Sequence, residues 1–106
     1  MSPGKLCSQA GHAYLGACLQ ALKTHPELAS AYTAQSPGTK VCLHGSLAEL
    51  SQAQEQLKAA RIPHFLVIDS GCPNFFDGQP IITALGFGPA KRLDLKRITR
   101  RLKLLT

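Results

Sequence analysis

Apolar and polar positions along this chain fall into alternating helical and extended patterns. Ser2-Pro3 reads as a helix start, with a hydroxyl N-cap followed by proline at the first helical position. A helix is expected from about Pro3 to Lys23, before His25-Pro26. It carries Ala10, Ala13, Gly16, Ala17 and Ala21, small side chains that let another element come close. A short helix from Pro26 to about Ala34 follows, and Ser36-Pro37-Gly38 should turn the chain. Lys40–His44 (KVCLH) reads as a short strand. Ser46-Leu47-Ala48-Glu49 is a capping box opening a helix whose apolar face is Leu47, Leu50, Ala53 and Leu57. That helix should end near Arg61. His64–Asp69 (HFLVID) is an almost uninterrupted apolar run, the pattern of a buried strand. Strand, helix and strand with short links predict a parallel pair joined by a right-handed crossover.

The glycine- and proline-rich stretch Ser70–Pro80 reads as a long loop, and loops of that length in small domains are often functional. Ile81–Phe87 is a further apolar strand. Gly86-Phe87-Gly88-Pro89 should then turn into a last helix, with Pro89 at its first position. In that helix Leu95, Ile98 and Leu102 share one side, while Arg92, Lys96 and Arg100 share another, with Lys103 adjoining if the helix persists. The expected fold class is therefore α/β, a single domain over residues 1–106 in three α/β/α layers around a small mixed sheet.

Composition narrows the class. At 106 residues and 44% hydrophobic content there is room for one core. No apolar run is long enough for a membrane span, and the first residues lack the apolar centre of a signal peptide, so a cytoplasmic protein is expected. The four cysteines form no CxxC pair and the four histidines show no ligand spacing, so neither a disulfide framework nor a metal site is expected. The formal charge is +6, and residues 91–103 hold seven of the 12 basic residues and one of the six acidic ones. That segment carries the whole excess. A neutral body with a basic end suits a polyanionic partner such as nucleic acid, or else a solvated helix face.

Two features could carry chemistry. Lys5, Gln9, His12 and Gly16 recur on one side of the first helix, either as a solvent-facing stripe, the reading favoured by the pattern alone, or as the lining of a cleft. Asp69 ends an apolar strand and opens the long loop, where α/β proteins place ligand clefts. A lysine and an aspartate meeting across such a cleft could orient a water and stabilise an oxyanion. Phe75 and Phe76 could stack on bases, though anchoring the loop to the core is the simpler use. The GFGP turn lacks the dinucleotide fingerprint but could offer amides to a phosphate at a helix start.

With these residues in place, the chain resembles the type-2 peptidyl-tRNA hydrolases. GKLCSQAGHAYLGA (residues 4–17) is similar to that family's GK-x-x-x-Q-x-x-HA-x-x-GA helix. TKVCLHG, IDSG (residues 68–71), TALGFGP (residues 83–89) and RLKLL (residues 101–105) resemble further family segments in the same order. The resemblance implies hydrolysis of the ester between a peptide and the 3′ end of tRNA, with no metal or organic cofactor. It places catalytic positions on Lys5, Gln9 and Asp69, and substrate contacts on His12, Lys40, Asn74, Gly88, Arg92, Lys96 and Arg100. Lys5 would steady the oxyanion, Asp69 would orient Lys5 or a water, and Gln9 would hold substrate or water. It implies tRNA as partner; no membrane partner is expected, because the apolar side of the last helix is needed for the core, and a homodimer is an expectation only for a sheet short of its first strand.

Two departures qualify it. Pro73-Asn74 replace the Thr-Gln usual after the D-[AS]-G turn, removing a hydroxyl. Members also carry a strand before the GK helix, of which Met1-Ser2-Pro3-Gly4-Lys5 matches only the M-x-x-GK end. Either the natural chain begins further upstream, or the sheet has three strands where the family has four. A sheet short of a strand leaves backbone groups unpaired and is expected to dimerise, borrow a strand or be marginally stable. A relative that binds RNA without cutting it is the alternative function.

Overall fold

The computed structural model describes residues 2–35, 38–69 and 81–105. Helix α1 spans Pro3–Thr24, and the Ser2 hydroxyl accepts from the Lys5 amide at 3.2 Å, as an N-cap should. Helix α2 (Pro26–Thr33) begins on its proline. Strand β1 is short, Leu43–His44. Helix α3 (Leu47–Ala60) starts on a complete capping box: Ser46 Oγ accepts from the Glu49 amide at 3.2 Å, and the Ser46 amide donates to Glu49 Oε1 at 2.9 Å. The same contact holds the Glu49 carboxyl below its usual range, because the charged form accepts the Ser46 amide hydrogen. Arg61 leaves α3 in the left-handed conformation, φ 56°.

Strands β2 (His64–Asp69) and β3 (Ile81–Phe87) have the bounds read from their apolar runs. They pair antiparallel, from His64 opposite Phe87 to Asp69 opposite Ile81. Val67 faces Ala84 and Ile68 faces Ile82, so Thr83 is an extra residue on β3, a β-bulge.

The strand pairing corrects the expected connectivity. Lys40–His44 and His64–Asp69 do not form a parallel pair; both pairings among the described residues are antiparallel. β1 instead pairs with β4 (Lys103–Leu104), Leu43 opposite Leu104 and His44 opposite Lys103. The last helix is shorter than its basic stripe suggested. Helix α4 spans Arg92–Thr99, and the chain then extends into β4, which takes Lys103 off the helix. Pro89 is not its first residue: Gly88 sits at φ +94°, so the chain turns there and Lys91 becomes the N-cap.

The core lies where α1 crosses the β2–β3 pair. Ala13, Ala17 and Ala21 of α1 are buried, as are Val67, Ile62, and Ala53 and Leu57 of α3. Small residues set the closeness of this packing. Gly86 abuts the Ala13 backbone, and Gly16 abuts the Phe65 ring. Tyr14 of α1 lies beside Cys42 in the segment before β1; burial, then the Cys42 thiol, push its phenol above the usual value.

Candidate active site

Helix α1 lies on the sheet face that carries Phe65, Val67 and Asp69. Its residues meet the two strands in turn: Gly16 on Phe65, Ala13 on Gly86, Gln9 on Thr83, Lys5 on Asp69. The helix thus runs antiparallel to β2, and its N-terminus arrives at β2's carboxyl end. The stripe through Lys5, Gln9 and Gly16 therefore faces the sheet, which corrects the solvent-facing reading. Four-residue spacing on a helix is matched to the strand rise beneath it, so one register fixes all these contacts.

At the end of that register the Lys5 ammonium sits 2.5 Å from Asp69 Oδ2. The lysine side chain is 36% exposed and the aspartate 14%, so the pair is half-sheltered with its cationic partner reachable from solvent. One turn deeper, Gln9 is buried, 6% exposed. The Thr83 hydroxyl donates to Gln9 Oε1 at 2.6 Å, with the Val67 carbonyl at 3.5 Å. The bulge is what turns Thr83 toward the helix. Thr83 falls inside the TALGFGP segment, but no local signal marks its role: the burial of Gln9, which needs a polar partner, comes from the structure.

The other expected site residues divide. His12 is exposed and lines a groove between α1 and β2 with Leu15, Gly16, Leu19, Gln20, Lys23, Phe65, Val67 and Ile68. Arg92, Lys96 and Arg100 are exposed, while Leu95, Ile98 and Leu102 are half-buried, so the amphipathic reading of the tail holds through Arg100 at the helix end. Lys40 is exposed, reaches the Gly38 carbonyl at 3.4 Å and lies 5.6 Å from the Tyr32 ring centre. The Gly88 amide donates to the Pro63 carbonyl at 2.9 Å. It is spent inside the fold, and no helix starts on it, which corrects the expected phosphate cradle. Asn74, like the Pro73-Asn74 departure and Phe75-Phe76, lies outside the described residues.

These features define an α/β protein whose lysine–aspartate pair, braced by a buried glutamine–threonine hydrogen bond, closes one end of its main helix. Comparison with known proteins gives the family. The description "Peptidyl-tRNA hydrolase PTH2" matches residues 1–105, and the chain belongs to that family. The chain is similar to the peptidyl-tRNA hydrolase of Halobacterium salinarum, 35% identical over 105 residues, covering 98% of this chain and 88% of the relative. It is similar also to those of Methanopyrus kandleri (32%, covering 99% and 88%) and Methanococcus maripaludis (31%, covering 99% and 89%).

Proposed function

We propose that this protein hydrolyses peptidyl-tRNA, cleaving the ester between the peptide's last residue and the 3′ ribose of tRNA. The observation that carries this reading is the Lys5–Asp69 pair, held at the sheet's edge by a full register of helix–strand contacts. Ester hydrolysis needs a water aimed at the carbonyl carbon, a group to take its proton, and positive charge where the oxyanion forms. Asp69, a carboxylate beside the Lys5 ammonium at the end of β2, orients the water and receives its proton. The Lys5 ammonium, reachable from solvent, meets the developing oxyanion. The proton then passes to the departing ribose oxygen. Gln9 is a positioning residue: its Oε1 is engaged by Thr83, and it fixes the helix turn that presents Lys5.

Transfer RNA is held by its phosphates on the exposed face of α4, through Arg92, Lys96 and Arg100. His12, two helical turns beyond Lys5 on α1, contacts the substrate's acceptor end. The protein acts in the cytoplasm, where the free thiols of Cys7, Cys18 and Cys42 stay reduced. No helix among the described residues is long and apolar enough to cross a membrane. The test is release of free tRNA from N-acetylaminoacyl-tRNA. The intact chain should release it, and Lys5→Ala and Asp69→Asn should each slow release on the order of 100-fold or more while thermal unfolding shifts little. Equal rates for wild type and Lys5→Ala would overturn the assignment of the pair.

A further inference from the structure

A groove of about 500 Å³ runs between α1 and the outer side of β2, a size within the ordinary range of ligand sites. Its apolar walls are Leu15 and Leu19 of α1 and Phe65, Val67 and Ile68 of β2. Leu15 is 61% exposed, Leu19 50% and Ile68 58%. The lining carries no carboxylate, and its lysine, Lys23, stands at the end of α1 away from Lys5. Ile68 directly precedes Asp69, so the groove opens onto the Lys5–Asp69 pair. The strand beside it has backbone to offer. The Gly88 amide donates to the Pro63 carbonyl, which fixes the phase of the β2–β3 ladder. Phe65 and Val67 therefore spend their backbone groups on β3, while the amides and carbonyls of Leu66 and Ile68 point away from it. No strand among the described residues pairs with them.

We infer that this groove is the subsite for the peptidyl half of the substrate, an apolar peptide segment laid as an added strand on the open edge of β2. The subsite rests on the hydrolase reading for the source of the peptide. Helix α4, with its basic stripe, packs on α3, and α3 packs on β3. The tRNA half of the ester is thus drawn toward the β3 side, and the outer side of β2 is left to the acyl half. A nucleotide would bring a phosphate charge to walls that are apolar. An extended peptide brings apolar side chains, together with the amides and carbonyls that an open strand edge can pair. With its last residue at Asp69, the peptide runs parallel to β2, toward His64. Residues level with one another on paired strands point to the same face. The residue two before the last is then level with Val67, and its side chain enters the groove.

The test has a binding arm and a kinetic arm, both on the full chain. In the first, N-acetyl-Leu-Gly-Gly amide and the trinucleotide CCA are titrated separately to millimolar concentration, with methyl resonances read. The peptide is expected to shift Leu15, Leu19, Val67 and Ile68, and CCA to leave them in place. No shift with the peptide, or a larger one with CCA, overturns the subsite whatever the kinetics show. In the second arm, kcat/KM is compared for N-acetyl-Leu-Gly-Gly-tRNA and N-acetyl-Gly-Gly-Gly-tRNA. The leucyl substrate should be preferred at least tenfold, chiefly through KM. In Leu15→Ser with Leu19→Ser, which alters exposed side chains, the ratio should fall to near one. Equal rates for the two substrates in wild type, or a ratio untouched by the substitutions, overturn the subsite and leave the hydrolase reading standing. Cleavage of neither substrate by a chain that shows the methyl shifts overturns the hydrolase reading and leaves the groove a peptide site.

Discussion

Replacing Gly86 by alanine is expected to disable the site from a distance. Gly86 is buried, and a Cβ there would press on the Ala13 backbone: its Cα at 3.0 Å, its carbonyl carbon and oxygen nearer still. Ordinary contact begins near 3.4 Å. The obstacle is helix backbone with no rotamer to change, so α1 must lift from β3 by roughly 1 Å. The lift acts on the contacts one and two turns away. Thr83 to Gln9 at 2.6 Å and Lys5 to Asp69 at 2.5 Å would stretch past hydrogen-bond range or tilt. Overpacking of this kind costs about 1–3 kcal/mol, and a shift of about 1 Å in catalytic groups costs on the order of 100-fold in rate. The assay is kcat/KM on N-acetylaminoacyl-tRNA together with the thermal midpoint, which should fall by roughly 5 °C or more. Gly11→Ala is the control. It lies on the same helix with nothing within 4 Å of the added Cβ, and should stabilise by about 0.5–1 kcal/mol with activity intact. A fully active and fully stable Gly86→Ala protein would refute the register argument.

Thr83→Val keeps the shape but leaves buried Gln9 without its donor; a loss of about 1–3 kcal/mol is expected, with Thr83→Ser restoring most of it, as read by urea unfolding. Gly16→Ala should cost less than Gly86→Ala, because the added Cβ meets the half-exposed Phe65 ring, which can turn away; comparing the two thermal midpoints checks this. Ser46→Ala should cost about 1 kcal/mol through loss of the α3 cap. The Glu49 carboxyl is held below its ordinary value when folded, so its stabilisation is present above that value and is lost as pH falls through the lowered one. The wild-type advantage over Glu49→Gln should therefore shrink on acidification, measured by thermal unfolding at neutral pH and near pH 3. If Arg92, Lys96 and Arg100 each hold one phosphate, the log–log salt slope of tRNA binding should be about −2 to −3, falling by about one unit in Arg92→Ala.

Local signals in the chain carried the elements well. Ser2-Pro3, the Ser46–Glu49 box and the apolar runs at 64–69 and 81–87 each mark a boundary by chemistry acting within a few residues, and each appears in the structure at that boundary. Pairing was not legible in the same way. Partnership of β1 with β4 joins residues some sixty apart, and β4 lies inside what the basic periodicity read as helix. Periodicity records which face is wet, and in 91–103 the wet face continues after the helix has ended. The site was half-legible. Lys5 and Asp69 stood out as charges at the ends of apolar elements, and the structure brings them together. The burial of Gln9 and the turn of Thr83 toward it depend on a bulge, a register shift that leaves no mark in the alternation of β3. Gly88 was misread for a related reason: whether an amide is free depends on whether a distant carbonyl, here that of Pro63, has already taken it.

The central claim is that the Lys5–Asp69 pair breaks an ester on tRNA. Its most direct measurement is a single-turnover deacylation of N-acetylaminoacyl-tRNA by wild type, Lys5→Ala and Asp69→Asn, each shown to bind tRNA and to unfold at a similar temperature. The account predicts cleavage by wild type and a drop on the order of 100-fold or more in both variants, with tRNA affinity little changed. Tight, salt-sensitive tRNA binding by a folded wild-type chain that leaves the ester intact would contradict it.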